Sequence, residues 1–459
     1  MPRAALWQDE TDQAIADSIR MLRRNEHAAR ASGFTEAHKC YIGGRSTVSY
    51  LTQHAMEHPK RFLERKAKFY NPNYYRLIVN ALRDGLYGDE VKREIVDGSP
   101  EQQVLFEEQL RMTNIMRAQS EIGLSLTLFG EGWANTPFRE RRKRVDVNPI
   151  YPGNIWYECD PDDVRRPIKV IEERSAGVGP DGKPQMRIWC ATEEWLEEVD
   201  QDGKVLTPRF DHGYGCLPYV QWLADPVIGY EGALSPLSDH PDMQKQLANR
   251  ISEYQLGLTY QAHSTMWTKG SDKVEMTIGP TSYVDLGEDG EMGYANAESP
   301  LDQLRLACSQ IVDEMLETGN VPASLIRGGD AQSGIQLLLM FLPYTKKAKS
   351  LRAEAKISDE IMCRTLCNVG AAHGLALPQD ARFAITFSDA ILPSDETAER
   401  MADGQDVDAG RMTLEDYLRK HRPDIPAEEV EAYAAKLKAE QATKPRPEAT
   451  FGFGAGAAL

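Results

Sequence analysis

The chain has 459 residues, of which 41% are apolar, and a formal net charge of −17. This is the composition of a globular protein of two or three domains, so an intrinsically disordered chain is excluded. The acidic charge also disfavours a protein that grips nucleic acid by neutralising its phosphates.

Two further features limit the class of protein. The longest apolar run, 335–342, is far shorter than the roughly 20 residues of a membrane-spanning helix, and the first residues lack a signal-peptide stretch. The seven cysteines are odd in number and contain no CxxC pair, which disfavours a disulfide framework or a zinc knuckle. Cys363 and Cys367 with His373 could hold a metal, although small buried core residues are the simpler interpretation. We therefore expect an intracellular soluble protein.

The first 135 residues or so are predicted to be mainly helical. Apolar residues recur at intervals of three and four in 9–31, 59–88 and 101–132, with a break at Asn71 and Pro72. From about 136 to 236 the period falls towards two, and Gly, Pro and Asp-Gly turn signals separate short β-branched and aromatic runs. This part predicts an antiparallel β region, with a hairpin turn at 200–204.

Two amphipathic helices are predicted next, over 240–262 and 301–319. Met243, Leu247 and Ile251 form one stripe of the first helix, and Leu304, Cys308 and Ile311 belong to the stripe of the second. Between them, 263–300 contains Gly-, Asp- and Glu-rich turns around short strand candidates such as "SYVDLG". The pattern predicts a helical hairpin with a β-containing tip.

A mobile loop and a long helix come next in the chain. The pair Gly328 and Gly329 lies in polar surroundings, which is typical of a loop. In 335–342 apolar residues fall on nearly every face, which predicts a helix buried all round. Pro343 lacks a backbone donor and should bend the helix. Beyond it, the buried stripe is predicted to leave cations on the other faces, namely Lys346, Lys347, Lys349, Arg352 and Lys356.

Motifs of catalysis are lacking in the sequence. It has no phosphate-binding loop, no HExxH and no nucleophile elbow, so we expect no enzymatic activity and no cofactor. Asp160, Asp162 and Asp163 could hold Mg²⁺ in a metal-dependent nuclease or phosphodiesterase, although a turn between strands uses the same residues for backbone bonding. The run "RERRKRV", 139–145, could contact phosphates or form a solvated loop.

The order of segments resembles that of the portal proteins of tailed bacteriophages. The entry segment of that family is similar to "YLTQHAMEHPKRFLERKAKFYNPNYYRLIVNALRDGLYG" in this chain. The β part of the portal wing is similar to "VNPIYPGNIWYECDPDDVRRPIKVIEER". The strongest likeness is "SPLDQLRLACSQIVDEMLETGNVPASLIRGGDAQSGIQLLLMFLP". It is an amphipathic helix, a Val-Pro step, a Gly-rich loop and a long apolar helix. "ITFSDAILPSDETAERMADGQDVDAGRMTLEDYLRK" is similar to the segment after that helix in the same family. The likeness covers nearly the whole chain.

The resemblance implies an α+β portal fold. Its parts along this chain are a wing (1–236, with a helical first part and a β region from about 136), a stem helix (237–262), a clip (263–300), a second stem helix (301–320), a tunnel loop (321–334), a bent long helix and a strand returning to the wing (335–393), a short helical crown (394–443) and a flexible tail (444–459).

The resemblance also implies a function and partners. Such a chain forms a ring, usually of twelve copies, at one vertex of the capsid, and double-stranded DNA passes through the ring without sequence-specific binding. The ring has no catalytic activity. It docks terminase and then head-completion or adaptor proteins, and it meets the major capsid and scaffolding proteins during assembly in the host cytoplasm. Its location is the virion, and another ring component of the virion remains an alternative.

The same resemblance implies candidate site residues. The tunnel-loop candidates for DNA contact are Arg327, Gly328, Gly329, Asp330, Gln332 and Ser333. Secondary candidates for channel or inter-subunit contact are Lys346, Lys347 and Lys349, for which inter-subunit salt bridges or simple solvation are the alternatives. Pro343 sets the helix kink. An acidic ring would largely repel DNA, which would favour sliding because tight phosphate binding opposes translocation.

Overall fold

The fold is known from a computed structural model. It describes residues 27–388, apart from 89, 97, 179–181, 183, 201–203, 228–231, 263–264, 270–290, 296–299 and 328–333, and then 403, 407, 411–421, 430 and 433–436. The chain is an α+β protein that divides into two compact units. One unit comprises Met1–Asp330 with Met340–Ala390, and the other comprises Ala331–Leu339 with Ile391–Leu459.

The larger unit begins with helices, as the sequence predicts. The helices before the β region are α1 (His27–Ile42), α2 (Pro59–Ala67), α3 (Tyr74–Tyr87), α4 (Pro100–Met112) and α5 (Ile115–Phe129). Residues Asn71 and Pro72 lie between α2 and α3, where the sequence predicts a break. Ser99 closes the start of α4 with a capping box in which its side chain and that of Gln102 each accept a backbone N–H.

Strand β1 (Val91–Val96) lies within this helical part and was not predicted. It pairs antiparallel with β14 (Arg382–Phe387), from Val91 opposite Phe387 to Val96 opposite Arg382. The two strands are almost 300 residues apart in sequence, as their numbers show. A short strand whose partner is so distant gives no local signal strong enough to interrupt a helical pattern.

The β region forms three sheets. Its strands are β2 (Glu131–Asn135), β3 (Phe138–Arg139), β4 (Arg144–Val145), β5 (Asn148–Ile150), β6 (Ile155–Asp160), β7 (Asp163–Val178), β8 (Pro184–Thr192), β9 (Trp195–Asp200), β10 (Val205–Asp211) and β11 (Tyr219–Leu223). The largest sheet is antiparallel and has the order β10-β9-β8-β7-β6, a second has the order β11-β2-β5, and β3 and β4 form a hairpin. At the predicted turn, the Asp200 carboxylate accepts the N–H of Lys204 at 2.8 Å. The antiparallel prediction is confirmed.

The remaining elements of the chain are mostly helical. They are α6 (His240–Ala262), β12 (Thr265–Lys269), β13 (Glu291–Ala295), α7 (Leu301–Thr318), α8 (Ala323–Arg327), α9 (Gly334–Ala372) and α10 (Leu414–His421). The two predicted amphipathic helices are thus α6 and α7. None of the helices in the described ranges is both long and apolar enough to cross a membrane.

Over its described residues the larger unit has four hydrophobic cores, of which the two largest join the helices to the rest of the unit and two smaller ones lie in the β region. One of the two largest is built on α5, β11 and α9 around Ile122, Trp222 and Leu366, and the other on α1, α3, α6 and α7 around Ile78 and Met315. In the smaller unit, Leu418 of α10 packs against Val430 and Ala434. The Asp403 carboxylate there lies 2.7 Å from Lys420 Nζ and 2.6 Å from His421 Nε2, and these partners lower the pKa of Asp403.

Candidate functional site

Helices α6 and α7 form an antiparallel pair. His240, at the start of α6, lies beside the end of α7, where its Nε2 is 2.9 Å from the carbonyl oxygen of Met315 and 3.4 Å from Thr318 Oγ1. Leu247 of α6 and Val312 of α7 are buried in the same core. Because α6 has 23 residues, it is about 35 Å long.

The first half of α6 is fixed to the helical part of the unit by buried polar contacts. The side-chain oxygen of Gln244 accepts the N–H of Tyr75 at 3.1 Å, and its Nε2 donates to Asn71 Oδ1 at 2.7 Å. The buried Arg65 donates to Ser252 Oγ at 3.0 Å and pairs with Glu57. The pair of helices is therefore anchored at the end that contains His240 and Met315, and α6 keeps contact with α2 as far as Tyr260, whose Oη donates to Glu64 at 3.1 Å.

The other end of the pair leads into a two-stranded ribbon. Strand β12 follows α6, strand β13 precedes α7, and they pair antiparallel from Thr265 opposite Ala295 to Lys269 opposite Glu291. Lys269 Nζ lies 3.4 Å from the Glu291 carboxylate. This agrees with the predicted β-containing tip, whereas the strand candidate "SYVDLG" lies outside the described residues.

His240 makes the anchored end sensitive to pH. Burial lowers the pKa of His240, so its imidazole is neutral in the folded chain. An unfolded histidine has a pKa of about 6.5, so protons favour the unfolded chain as the pH falls below this value. The stability that His240 confers is therefore present above about pH 6.5 and is lost at lower pH.

We expect His240→Gln to reduce the loss of melting temperature between about pH 7.5 and pH 5.5. The glutamine amide can still donate to Met315 but does not titrate in this range. Thermal unfolding of both proteins at matched pH values measures the difference. Equal slopes of melting temperature against pH would show that other groups cause the acid sensitivity.

Of the predicted tunnel-loop residues, only Arg327 lies in the described part of the chain. It ends α8, and its Nη1 donates to the Asp313 carboxylate of α7 at 2.8 Å. The guanidinium charge is thus offset within the chain, at the helix pair. Gly328, Gly329, Asp330, Gln332 and Ser333 lie outside the described residues, so their proposed contact with DNA stays a prediction.

Helix α9 continues through Pro343. The prediction that 335–342 is buried on all faces is wrong for the described side chains of this run. Phe341 is buried, but Met340 and Leu342 are exposed, Leu342 to 44%. Within 339–342 the single chain covers Phe341 but not its neighbours, so this apolar stretch leaves apolar surface in water. A kink at Pro343 remains a prediction.

The cations beyond Pro343 have different environments. Lys346 and Lys349 are exposed and have no ion-pair partner within the described ranges, whereas Lys347 Nζ lies 3.5 Å from the Asp225 carboxylate. Arg352, predicted on an outer face, is instead buried: its Nε donates to the carbonyl oxygen of Gly85 at 2.9 Å. Its long side chain crosses the helix surface to reach α3, which sequence spacing alone does not reveal.

A cavity of about 430 Å³ joins the end of the helix pair to α9. Its lining residues are Asn320, Leu342, Pro343, Lys346, Lys347 and Ser350. Asn320 follows α7 with a φ of 55°, a left-handed conformation that asparagine tolerates better than most residues. The structure thus brings Lys346 and Lys347 close to the end of the predicted second stem helix.

A buried polar network joins α9 to α3, β1 and β11, and it was not predicted. The Asp359 carboxylate accepts hydrogen bonds from Arg93 Nη2 at 2.9 Å, Trp222 Nε1 at 3.0 Å and Tyr87 Oη at 3.1 Å. Asp359 is fully buried, and Arg93 is nearly so. Nothing in the sequence marks these four residues, since each comes from a different element.

The acidic cluster forms a turn between β6 and β7. Asp160 Oδ1 accepts the N–H of Asp162 at 3.0 Å, and Asp163 Oδ1 accepts the N–H of Arg165 at 3.0 Å. Asp160 also lies 3.9 Å from Arg166. Such side-chain-to-backbone bonds are the usual role of aspartates in turns. Across the described ranges, no group of three His, Cys, Asp or Glu side chains is placed to hold a metal ion.

The possible cysteine and histidine site is divided between two environments. Cys363 and Cys367 are buried, and burial raises the pKa of Cys363 well above its usual range and that of Cys367 to about 12. The ring of His373 instead stacks on Phe138 at 4.1 Å, and its Nε2 is 3.2 Å from Tyr214 Oη. The cysteines are therefore core residues, as the simpler interpretation held.

The basic run 139–145 forms the β3–β4 hairpin. Arg139 and Arg144 both pair with Asp146, at 3.1 Å and 2.8 Å. Arg141 and Arg142 are exposed near the turn. Lys143 Nζ lies 3.2 Å from the Glu140 carboxylate, so three cations of this run have an acidic partner within the chain, and the two arginines at the turn are solvated.

Comparisons with known proteins gave matches only among solved structures. No family model and no curated protein matches the chain. A chain in the virion of a native gene transfer agent (GTA) particle is 10% identical with a TM-score of 0.45, covering 85% of this chain and 99% of that chain. A chain in the neck of the native GTA particle, computed with C12 symmetry, is 11% identical with a TM-score of 0.44, covering 81% and 96%. A chain in the neck of the empty particle, computed with C6 symmetry, is 10% identical with a TM-score of 0.46, covering 79% and 94%.

Proposed function

We propose that the chain is the portal protein of a tailed bacteriophage or a phage-like particle. In this proposal it forms a ring, usually of twelve copies, through which double-stranded DNA enters and leaves the capsid. Helices α6 and α7 are the stem, the β12–β13 ribbon belongs to the clip, and α9 is the long helix behind the tunnel loop. The smaller unit contains the crown.

One observation carries this proposal: the antiparallel helix pair with a ribbon at its far end. Its anchored end is held by Gln244 and by His240, and α6 is about 35 Å long. The ribbon at the far end of the pair is suited to present its tip to other proteins. The order of pair, loop and long helix is also the order of the segments that resemble the portal family.

The charge distribution supports passage of DNA rather than tight binding. The chain carries −17, and Arg327 is paired with Asp313. Affinity for DNA rises steeply with each phosphate that a protein neutralises, so a ring of acidic chains would bind the duplex weakly and let it slide. The proposed role requires no reaction by this chain. Its proposed partners are terminase, adaptor proteins and the capsid and scaffolding proteins, and its proposed location is the virion.

The mass and symmetry of the purified assembly test this proposal. We expect native mass spectrometry to give a multiple of the 51.5 kDa chain near twelve, and electron microscopy to show a ring with a central hole. A monomer or a closed dimer at micromolar concentration and moderate salt would contradict a portal. A ring without a hole wide enough for a duplex would contradict DNA passage.

A further inference from the structure

We propose that the outer face of α9 in one copy packs against the outer face of α4 in the next copy. This inference rests on the ring proposed above and names one pair of surfaces that builds it. Both helices belong to the larger unit over the residues concerned. Each surface consists of four residues that lie on one side of its helix.

The α9 face is apolar and basic. It consists of Leu342, Lys349, Lys356 and Ile357, all exposed, with Ile357 exposed to 59%. Spacings of seven and eight residues place them within one arc of the helix surface, opposite the buried Leu351 and Ala355. Neither lysine has an ion-pair partner within the described ranges. A face of this kind stays unpartnered in the single chain.

The α4 face is apolar and acidic. It consists of Glu101, Leu105, Glu108 and Met112, which follow one another at steps of four, three and four and so form one straight stripe. All four are exposed, Leu105 to 40% and Met112 to 41%. The buried residues of the helix, Phe106 and Gln109, lie on the other side. Neither glutamate of this face has an ion-pair partner in the part of the chain that the structure describes.

The two faces match in charge and in spacing. Lys349 and Lys356 are seven residues apart, and so are Glu101 and Glu108, which separates each pair by about 10 Å along its helix. Two helices packed antiparallel, with Glu108 at Lys349 and Glu101 at Lys356, can therefore form both ion pairs at once. Met112 then lies towards Leu342, and Leu105 lies between the two ion pairs. Exposed apolar residues alone would not identify the partner that packs on the α9 face. The opposite charges at equal spacing on α4 favour a second copy of this chain as that partner.

Contact between two different faces of one chain is head-to-tail. Such a contact repeats from copy to copy and generates a ring when the rotation closes. It also explains why Leu342 is apolar without being covered in the single chain. Like-charge repulsion across such an interface is costly, which provides a direct test.

The test uses two full-length variants with reversed charges. Variant A carries Lys349→Glu and Lys356→Glu, and variant B carries Glu101→Lys and Glu108→Lys. We expect each variant alone to lose the ring, with at least about a tenfold fall in the ring fraction seen by mass photometry, because glutamates would face glutamates in A and lysines would face lysines in B. Higher salt should reduce the defect, since it screens the repulsion.

Mixing the two variants separates an interface from a folding defect. In an equal mixture every contact again joins glutamates to lysines, so we expect rings in which A and B alternate. A chain with all four substitutions should also form rings. The control variant, Arg165→Glu with Lys204→Glu, changes the charge as much as A does but on exposed residues of β7 and of the turn before β10, and it should keep the ring.

The outcomes distinguish this inference from the function on which it rests. If the wild-type chain forms no ring, the portal proposal fails and this interface fails with it. If the wild type forms a ring and A and B form it equally well, only the interface is overturned. If A and B lose the ring but neither their mixture nor the fourfold variant restores it, the two faces do not meet each other and the inference is overturned as well.

Discussion

Replacing Asp359 by alanine is expected to lower the free energy of unfolding by about 3–5 kcal/mol. The carboxylate is fully buried and accepts hydrogen bonds from Arg93, Tyr87 and Trp222. Removing it leaves the buried guanidinium of Arg93 without its counter-charge and two further donors without an acceptor. An unpaired buried charge is among the costliest defects in a folded protein.

A double variant tests whether the unpaired charge is the cause. Arg93→Met with Asp359→Leu removes both charges and keeps apolar volume, and we expect it to be much closer to the wild type than Asp359→Ala. Denaturant unfolding followed by tryptophan fluorescence gives the free energies, since Trp222 is part of the network. If the double variant is as unstable as the single one, the loss comes from packing and not from the charge.

Much of the helical framework could be predicted from the sequence because amphipathic periodicity is a local signal. The stripes that contain Leu247 and Ile311 identify α6 and α7, and the break at Pro72 separates α2 from α3. Strand β1 could not be found in this way, because β14 completes its sheet from the far end of the chain. Periodicity reports which side of an element is apolar, but not which distant element covers it.

At the candidate site, too, the sequence does not show which distant residues contact each side chain. The sequence marks Lys346, Lys347 and Arg352 as cations beyond a proline, yet the fold gives Lys347 an aspartate and buries Arg352 against α3. Only Lys346 of these three remains exposed without a partner in the described ranges. Which cations are free depends on tertiary contacts, so a basic run in a sequence is not by itself a basic surface.

For the apolar residues of α9 the error is the reverse, since residues predicted to be buried are exposed. A run of apolar residues predicts burial, and for Leu342 the single chain does not supply it. Periodicity cannot tell burial in a core from burial between copies, since both require an apolar side. The failure of the prediction at this one segment is what points to a partner for α9.

Replacing Gly130 by alanine is expected to lower the free energy of unfolding by about 3 kcal/mol or more. Gly130 links α5 to β2 with a φ of +82°, and a Cβ there would lie 2.4 Å from the carbonyl carbon of Leu234 and 2.6 Å from the amide nitrogen of Ser235. Backbone atoms cannot move aside as a flexible side chain can. In the variant this overlap would strain segment 233–235, which lies a few residues before α6.

Gly374→Ala is the matched control for this substitution. Gly374 has a φ of +83°, and a Cβ there would meet no atom within 4 Å. It therefore carries the cost of the left-handed conformation, about 1–2 kcal/mol, without the overlap. Denaturant midpoints of the two variants, compared at equal slope, give the difference. If both variants lose the same free energy of unfolding, segment 233–235 has moved aside for the new methyl group. The close approach at Gly130 would then not contribute to stability.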